Sequence, residues 1–360
     1  MSRRKFIGQS MAAVAAGTTL FSKNLIAKPA KFRMRLVMVV NKTLPIWGPG
    51  VVSFAEKARI ATDGALDIKV YGAGELVPAL GTFDAVKAGQ VEMAHSDAYY
   101  WQGKIPAAPF FTSVPFGLNS EGMRSWINFG GGQELWDELY APHGVRAFPA
   151  GNTGIQMGGW FNKKIETPAD FKGLKMRIAG LGGQVLEKLG AKPMLVAGGE
   201  IYTNLATGVI DAAEWVGPYH DHVMGFHKAA KFYYYPGWHE PGPVHELMIN
   251  EQAWQKLPAD IQQVVKSLAA ELDRNIYAEW KARDSEYLKK IVDEGKVKLL
   301  KFPDPVLKAL RAQADIVKAE VAATSPLAKK IYTSFTEFQK IFEAHEKITS
   351  EAYDEARGLS

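Results

Sequence analysis

The chain reads as a mixed α/β protein of two lobes, and three observations carry that reading. Short apolar runs suited to strands alternate with stretches whose apolar residues recur at helical spacing, which argues for largely parallel sheets. The alternation restarts in mid-chain with its own apolar set, so a second α/β unit follows the first. A length of 360 residues, 47% hydrophobic and 22% charged, suits about two domains.

Taken in order, Arg35 to Val40 (RLVMVV) is expected to be a buried strand, and Val51, Phe54, Ala55 and Ala58 mark a helix behind Pro49-Gly50. Asp67 to Tyr71 supplies a second strand and Phe83 to Val86 a short helix. Val91 to Ala94 begins a third strand ending in Tyr99-Tyr100-Trp101. Pro106 to Gly117, rich in Pro and Phe, reads as a loop over the sheet edge. A helix from about Glu121 should break at Gly130-Gly131-Gly132, because three glycines are costly inside a helix. Val145 to Ala150 then leads as a strand into the second unit.

There, Gly158 to Asn162 and Leu174 to Ile178 look like strands, and Leu181, Val185, Leu186 and Leu189 form a helix stripe ended by Gly190. A short helix follows at Glu200 to Leu205, and Gly208 to Asp211 turns back into a strand bearing Glu214 and Trp215. His245 to Asn250 is a crossover strand. Ile261, Val265, Leu268, Leu272 and Ile276 keep one face apolar through a long helix to about Glu294. A strand at Val297 to Phe302, a helix from Pro305 and a last helix from Pro326 complete the chain. In that last helix Leu327, Ile331, Phe335, Phe338 and Phe342 make a wide apolar stripe.

The formal charge of +5 does not mark a nucleic-acid partner. Four of those five charges are Arg3, Arg4, Lys5 and Lys23, in a stretch, residues 1–27, that has no acid. That stretch reads as a targeting segment: a basic start, an apolar run too short to span a bilayer, and a small-residue exit. Ser2-Arg3-Arg4-Lys5-Phe6-Ile7 resembles a twin-arginine export signal, which places the mature protein outside the cytoplasm. Cysteine is absent, so any metal must be held by oxygen or imidazole.

Candidate chemistry gathers between Gly151 and Pro243. In KMRIA, Lys175 and Arg177 face opposite to Met176, toward solvent or a cleft, and a guanidinium fork suits carboxylate capture. Gln156, Glu214 and Glu240 sit in aromatic, glycine-rich sequence and would make an oxygen set for a hard cation such as sodium or calcium. Two other readings stay open here. His220, His222, His227 and His239 could offer ligands to a hydrolytic zinc, although HExxH is absent and residues two apart do not share a helix face. Glu214 and Glu240 could instead be the acid and base of an exported hydrolase. No GxSxG is present.

The motifs GNTGIQMGGWF, FKGLKMRIAG, ATGVIDAAEWVGPY and YYYPGWHEPGP resemble the solute-binding proteins of tripartite ATP-independent periplasmic (TRAP) transporters, in the branch that binds 2-oxo acids. Residues 74–101 and 109–118 extend the likeness. It implies a two-lobed periplasmic-binding-protein fold with crossing hinge segments and long C-terminal helices, no enzymatic activity, and delivery of ligand to a membrane permease. It implies that Arg177 pairs with the carboxylate of a small 2-oxo or 2-hydroxy monocarboxylate, with Gln156, Trp215, Tyr100 and Asn152 as further ligand contacts. Gln156, Glu214, the Trp215 carbonyl and Glu240 would hold the sodium or calcium ion, while Tyr99, Phe110 and Trp160 would help exclude water. His239, before Glu240, stands where an aromatic residue is expected, and His220 follows Tyr219. The expected division is a signal over 1–27, lobe I over 28–150, lobe II over 151–243, a crossover strand with helices packing on both lobes over 244–325, and a helix over 326–360 that forms a homodimer.

Overall fold

The computed structural model describes residues 30–359, so the export signal expected over residues 1–27 lies outside the described residues. Two sheets organise the chain. The first holds β1 (Phe32–Met38), β2 (Leu66–Tyr71), β3 (Met93–Ser96), β4 (Val145–Asn152) and β10 (Val244–Asn250), in the order β2-β1-β3-β10-β4. The second holds β5 (Gly159–Phe161), β6 (Lys175–Arg177), β7 (Lys192–Met194), β8 (Ala212–Ala213), β9 (Phe232–Tyr235) and β11 (Lys298–Lys301), in the order β11-β9-β5-β8-β6-β7. β1 pairs in parallel with β2 and β3, whereas β10 runs antiparallel between β3 and β4.

Strand pleating sends neighbouring side chains to opposite faces, and each face feeds a different core. On β1, Val37 enters one apolar cluster while Leu36 and Met38 enter the other. Phe161 and Tyr234 of the second sheet join the first of these clusters, and Trp160 and Tyr233 the second. Both cores therefore draw on both sheets. The helix Ala259–Asp293 lies over the second, burying Ile261, Val265, Leu272, Ile276 and Trp280.

Three segments carry the chain between the sheets: residues 153–158 from β4 to β5, residues 236–243 from β9 to β10, and the long helix that leads to β11. The first two lie side by side, with Gln156 N–H donating to the Glu240 carbonyl at 3.1 Å and Gly237 N–H to the Gln156 carbonyl at 3.0 Å. A Cβ on Gly237 would sit 2.2 Å from that carbonyl oxygen, so this close approach requires glycine.

Three expectations are corrected. β3 stops at Ser96, and Tyr99-Tyr100-Trp101 belong to the 3-10 turn Ala98–Trp101, with Tyr100 N–H bonding back to the Asp97 carbonyl at 3.2 Å. The Pro- and Phe-rich stretch is core: Phe111 stacks on Trp126 and Trp136, and Phe110 packs against Phe335. The last helix does not run unbroken over 326–360: Pro326–Ile348 ends at Thr349 and Ser350–Arg357 follows, and the apolar stripe of the first part packs within the chain. Ile331 and Phe335 are fully buried against the helices Ser120–Phe129 and Gly132–Tyr140, and Phe338 and Phe342 pack on the same core. No described helix is long and apolar enough to cross a membrane.

Candidate functional site

Arg177 ends β6 and Glu214 follows the last residue of the parallel neighbour β8, so both side chains issue from the carboxyl ends of adjacent parallel strands. Gln156 and Glu240 come from the two bonded crossing segments. Two strand ends and two crossovers thus converge, which explains why residues 84 positions apart in sequence share one site. All four are nearly inaccessible: Arg177 and Glu214 are 1% exposed, Glu240 2% and Gln156 4%. A solvated surface arginine is excluded.

Arg177 Nη1 donates to Glu214 Oε1 at 2.6 Å and to the Glu214 carbonyl at 2.9 Å, while Nε reaches the Val196 carbonyl at 3.4 Å. Its Nη2 takes part in none of these bonds. The guanidinium lies 5.2 Å from the Trp215 ring centroid. Burial works against its charge, but Glu214, Tyr100, Tyr99 and Glu240 together outweigh that and hold it protonated. Burial likewise pushes the Glu214 carboxyl up; Arg177, His239 and the Ala179 N–H together more than offset this and hold it below the usual carboxylate range.

Glu240 is the opposite case. Burial, then the charges of Glu214 and Asp97, push it well above the usual range, with Arg177 alone opposing. Neither of its carboxylate oxygens has a hydrogen-bond partner, nor do Gln156 Oε1 or either ring nitrogen of His239. Glu214, His239 and Glu240 each present an atom within 4.8 Å of the others. So many buried polar atoms left without partners are costly, and the carboxylate and amide oxygens among them are satisfied when a cation lies between them. The donor set of carboxylate and amide oxygens fits a hard cation.

Other expected residues fall elsewhere. Tyr99 and Tyr100 bring the first lobe to the site: their rings meet edge to face at 4.7 Å, and both hydroxyls feel Glu214. Asn152 is engaged with its own surroundings. Its Oδ1 accepts from Ser120 Oγ at 2.6 Å and Gly154 N–H at 2.8 Å, and its Nδ2 donates to the Gly242 carbonyl at 3.3 Å, so it shapes the loop that carries Gln156. Phe110 and Trp160 are core residues rather than cleft walls; Trp160 stacks on Tyr233 and donates to Asp221. Asp97, whose Oδ2 is buried and unpartnered, was missed by sequence reasoning although it lies within the matching stretch 74–101.

The four histidines do not form one zinc centre. His239 is at Glu214, and His220 is buried with Nε2 at 2.7 Å from the Pro45 carbonyl. His222 and His227 stack together away from both. Beside the acidic cluster, a cleft of about 590 Å³ runs between the lobes, walled by Val39, Leu44 and Leu80 on one side and Val196, Trp215 and Met224 on the other. Of the expected site residues only Trp215 reaches it.

The sequence profile described as bacterial extracellular solute-binding protein, family 7, matches residues 37–325. The chain belongs to this family. Over 361 aligned residues it is 39% identical to the monocarboxylate 2-oxoacid-binding periplasmic protein of Nostoc sp., with 98% of each chain covered. Among solved structures it is similar to a TRAP periplasmic solute-binding protein of Pseudoalteromonas atlantica with bound sodium and pyruvate, at TM-score 0.88 and 42% identity, covering 90% of this chain and 98% of that one. It is also similar to a TRAP solute-binding protein of Bordetella bronchiseptica, a mixed-occupancy dimer with calcium and picolinate in one active site and the other apo. There the TM-score is 0.89 and the identity 36%, over 91% and 97% of the chains.

Family 7 comprises extracellular binding proteins rather than enzymes, and the acid-base hydrolase reading falls with that. Arg177 does not keep both glutamates ionised: it pairs with Glu214 and leaves Glu240 pushed up. The two carboxyls differ as an acid-base pair would, but the unpartnered oxygens of Gln156 and Glu240 suit a cation instead.

Proposed function

We propose that this protein captures a small 2-oxo or 2-hydroxy monocarboxylate together with a sodium or calcium ion and delivers it to a TRAP membrane permease. The observation that supports this most directly is the buried set of unpartnered oxygens, Gln156 Oε1 and both oxygens of Glu240, beside the Arg177–Glu214 pair. A cation held by Gln156, Glu214, Glu240 and the Trp215 carbonyl would neutralise the two glutamates. It would also offer coordination to a carboxylate oxygen and the adjacent keto or hydroxyl oxygen, favouring 2-substituted acids over plain ones. Arg177 would take the other carboxylate oxygen, with Tyr100 and Trp215 closing over it. The protein would act in the periplasm after export through the twin-arginine signal, and as a homodimer, as in the Bordetella relative.

Calorimetric titration tests this. Pyruvate, lactate, a six-carbon 2-oxo acid and acetate are titrated with sodium, with calcium, and with a chelator in sodium-free buffer. Binding of 2-substituted acids that requires a cation is expected. Arg177→Ala and Glu240→Gln should each weaken it by at least about 100-fold, since truncating one partner of a buried charge pair costs roughly 3 kcal/mol or more. Equal binding of acetate and pyruvate, or binding indifferent to both variants, would remove the proposal.

A further inference from the structure

We propose that His222, His227 and Glu294 form a second metal site, for a divalent transition metal of the zinc class, outside the ligand cleft. His222 lies in the helix Pro218–Val223 and His227 in the helix Phe226–Ala229. Between them Gly225 takes φ +82°, and this left-handed turn folds the second helix back on the first. The two imidazoles are stacked, with centroids 4.1 Å apart and planes within 4°. Glu294, which caps the end of the helix Ala259–Asp293, places Oε1 at 3.2 Å from His222 Nε2. One atom from each of the three lies within 4.8 Å of the others.

A second observation points to a ligand. His227 is 8% exposed, yet its Nδ1 has no hydrogen-bond partner. A buried imidazole nitrogen without a partner is costly, and with a second imidazole and a carboxylate close by it can serve a cation. Burial and the neighbouring His222 keep His227 below its ordinary pKa. Two nitrogens and one oxygen favour zinc, nickel or copper over calcium or sodium, so the site differs in chemistry from the oxygen set at Glu240.

Coordination requires some movement. Tetrahedral bonds of about 2.0 to 2.1 Å put ligand atoms roughly 3.3 Å apart, so the parallel rings must tilt toward each other. His222, half-buried at a helix end, and Glu294, at the end of a long helix, can supply that tilt. Lys228 and Lys296 lie close enough to depress His227 and oppose any cation, which makes the Glu294 charge necessary. An ion held here would tie the second lobe to the end of the helix that packs on both lobes.

The test is titration of the tag-free full chain with zinc, nickel and calcium ions, followed by calorimetry and by the absorption spectrum of a cobalt-substituted sample. One equivalent of zinc and of nickel is expected, with a rise in thermal midpoint; His222→Ala and His227→Ala should each weaken zinc about tenfold or more, and Glu294→Gln, a near-isosteric change on a half-buried side chain, should also weaken it. Glu240→Gln should leave zinc affinity unchanged. Absence of zinc binding overturns the proposal. So does zinc binding that follows Glu240→Gln or His239→Ala while ignoring the His227 and Glu294 variants, because the ion would then sit in the cleft.

Discussion

Glu246 shows what burial does to a carboxyl that is given only neutral donors. Its Oε1 accepts from Trp101 Nε1 at 2.8 Å and its Oε2 from the Tyr140 hydroxyl at 3.0 Å, and burial raises its pKa to about 8. In the unfolded chain it titrates near 4.5. The folded state therefore binds the extra proton between these values, and stability falls as pH rises through that window. Glu246→Gln keeps a donor and an acceptor in place without the titration. It should flatten the urea-midpoint profile between about pH 5 and pH 8 and stabilise the protein at pH 8 by a few kcal/mol, since each pKa unit is worth about 1.4 kcal/mol. At this scale the four residues Gln156, Arg177, Glu214 and Glu240 were legible in sequence because each sits in a distinctive motif. Asp97 and Glu246 were not, since what matters about them is which groups 148 or 145 positions away lie beside them.

Among the elements, the long helices were readable because a stripe repeated over several turns is a strong signal. The second sheet was harder. Strands of two or three residues such as β8 and β7 carry too few side chains for alternation to show, and β7, Lys192–Met194, went unread. The face that a stripe meets was harder still. The stripe of the helix Pro326–Ile348 was plain in sequence, but its burial beneath Phe110, Trp126 and Trp136 depends on where the Pro- and Phe-rich segment folds. Phe335→Ala should accordingly cost about 3 to 5 kcal/mol in denaturant unfolding, by the transfer and cavity terms of a buried aromatic. The loss should be the same at micromolar and at tenfold higher protein concentration. A loss that shrinks with concentration would mean that Phe335 stabilises an interface instead.

Across the whole molecule, the two apolar cores matter more than the two sheets. Because each core takes side chains from both sheets, neither lobe keeps a complete interior without the other. Calorimetric unfolding should therefore show one transition, with calorimetric and van't Hoff enthalpies in agreement, rather than one per lobe. Two resolved peaks would show that the lobes unfold independently. Stacking of Trp47 on Trp215 at 6.5 Å and the bond from Gln184 Nε2 to Gln102 Oε1 at 3.2 Å join the lobes across the cleft, and these contacts must part for ligand to enter.

The position of β10 has a further consequence for the order of events in synthesis. It is the strand between β3 and β4, yet it is made roughly a hundred residues after β4. Until Asn250 has left the ribosome, β3 and β4 each expose a bare edge with nothing to bridge them. The first half of the chain then has no complete sheet to fold into. Its maturation waits on the second half, through long-range pairing that is slow to find, so the nascent protein needs protection from edge-to-edge association for most of its synthesis.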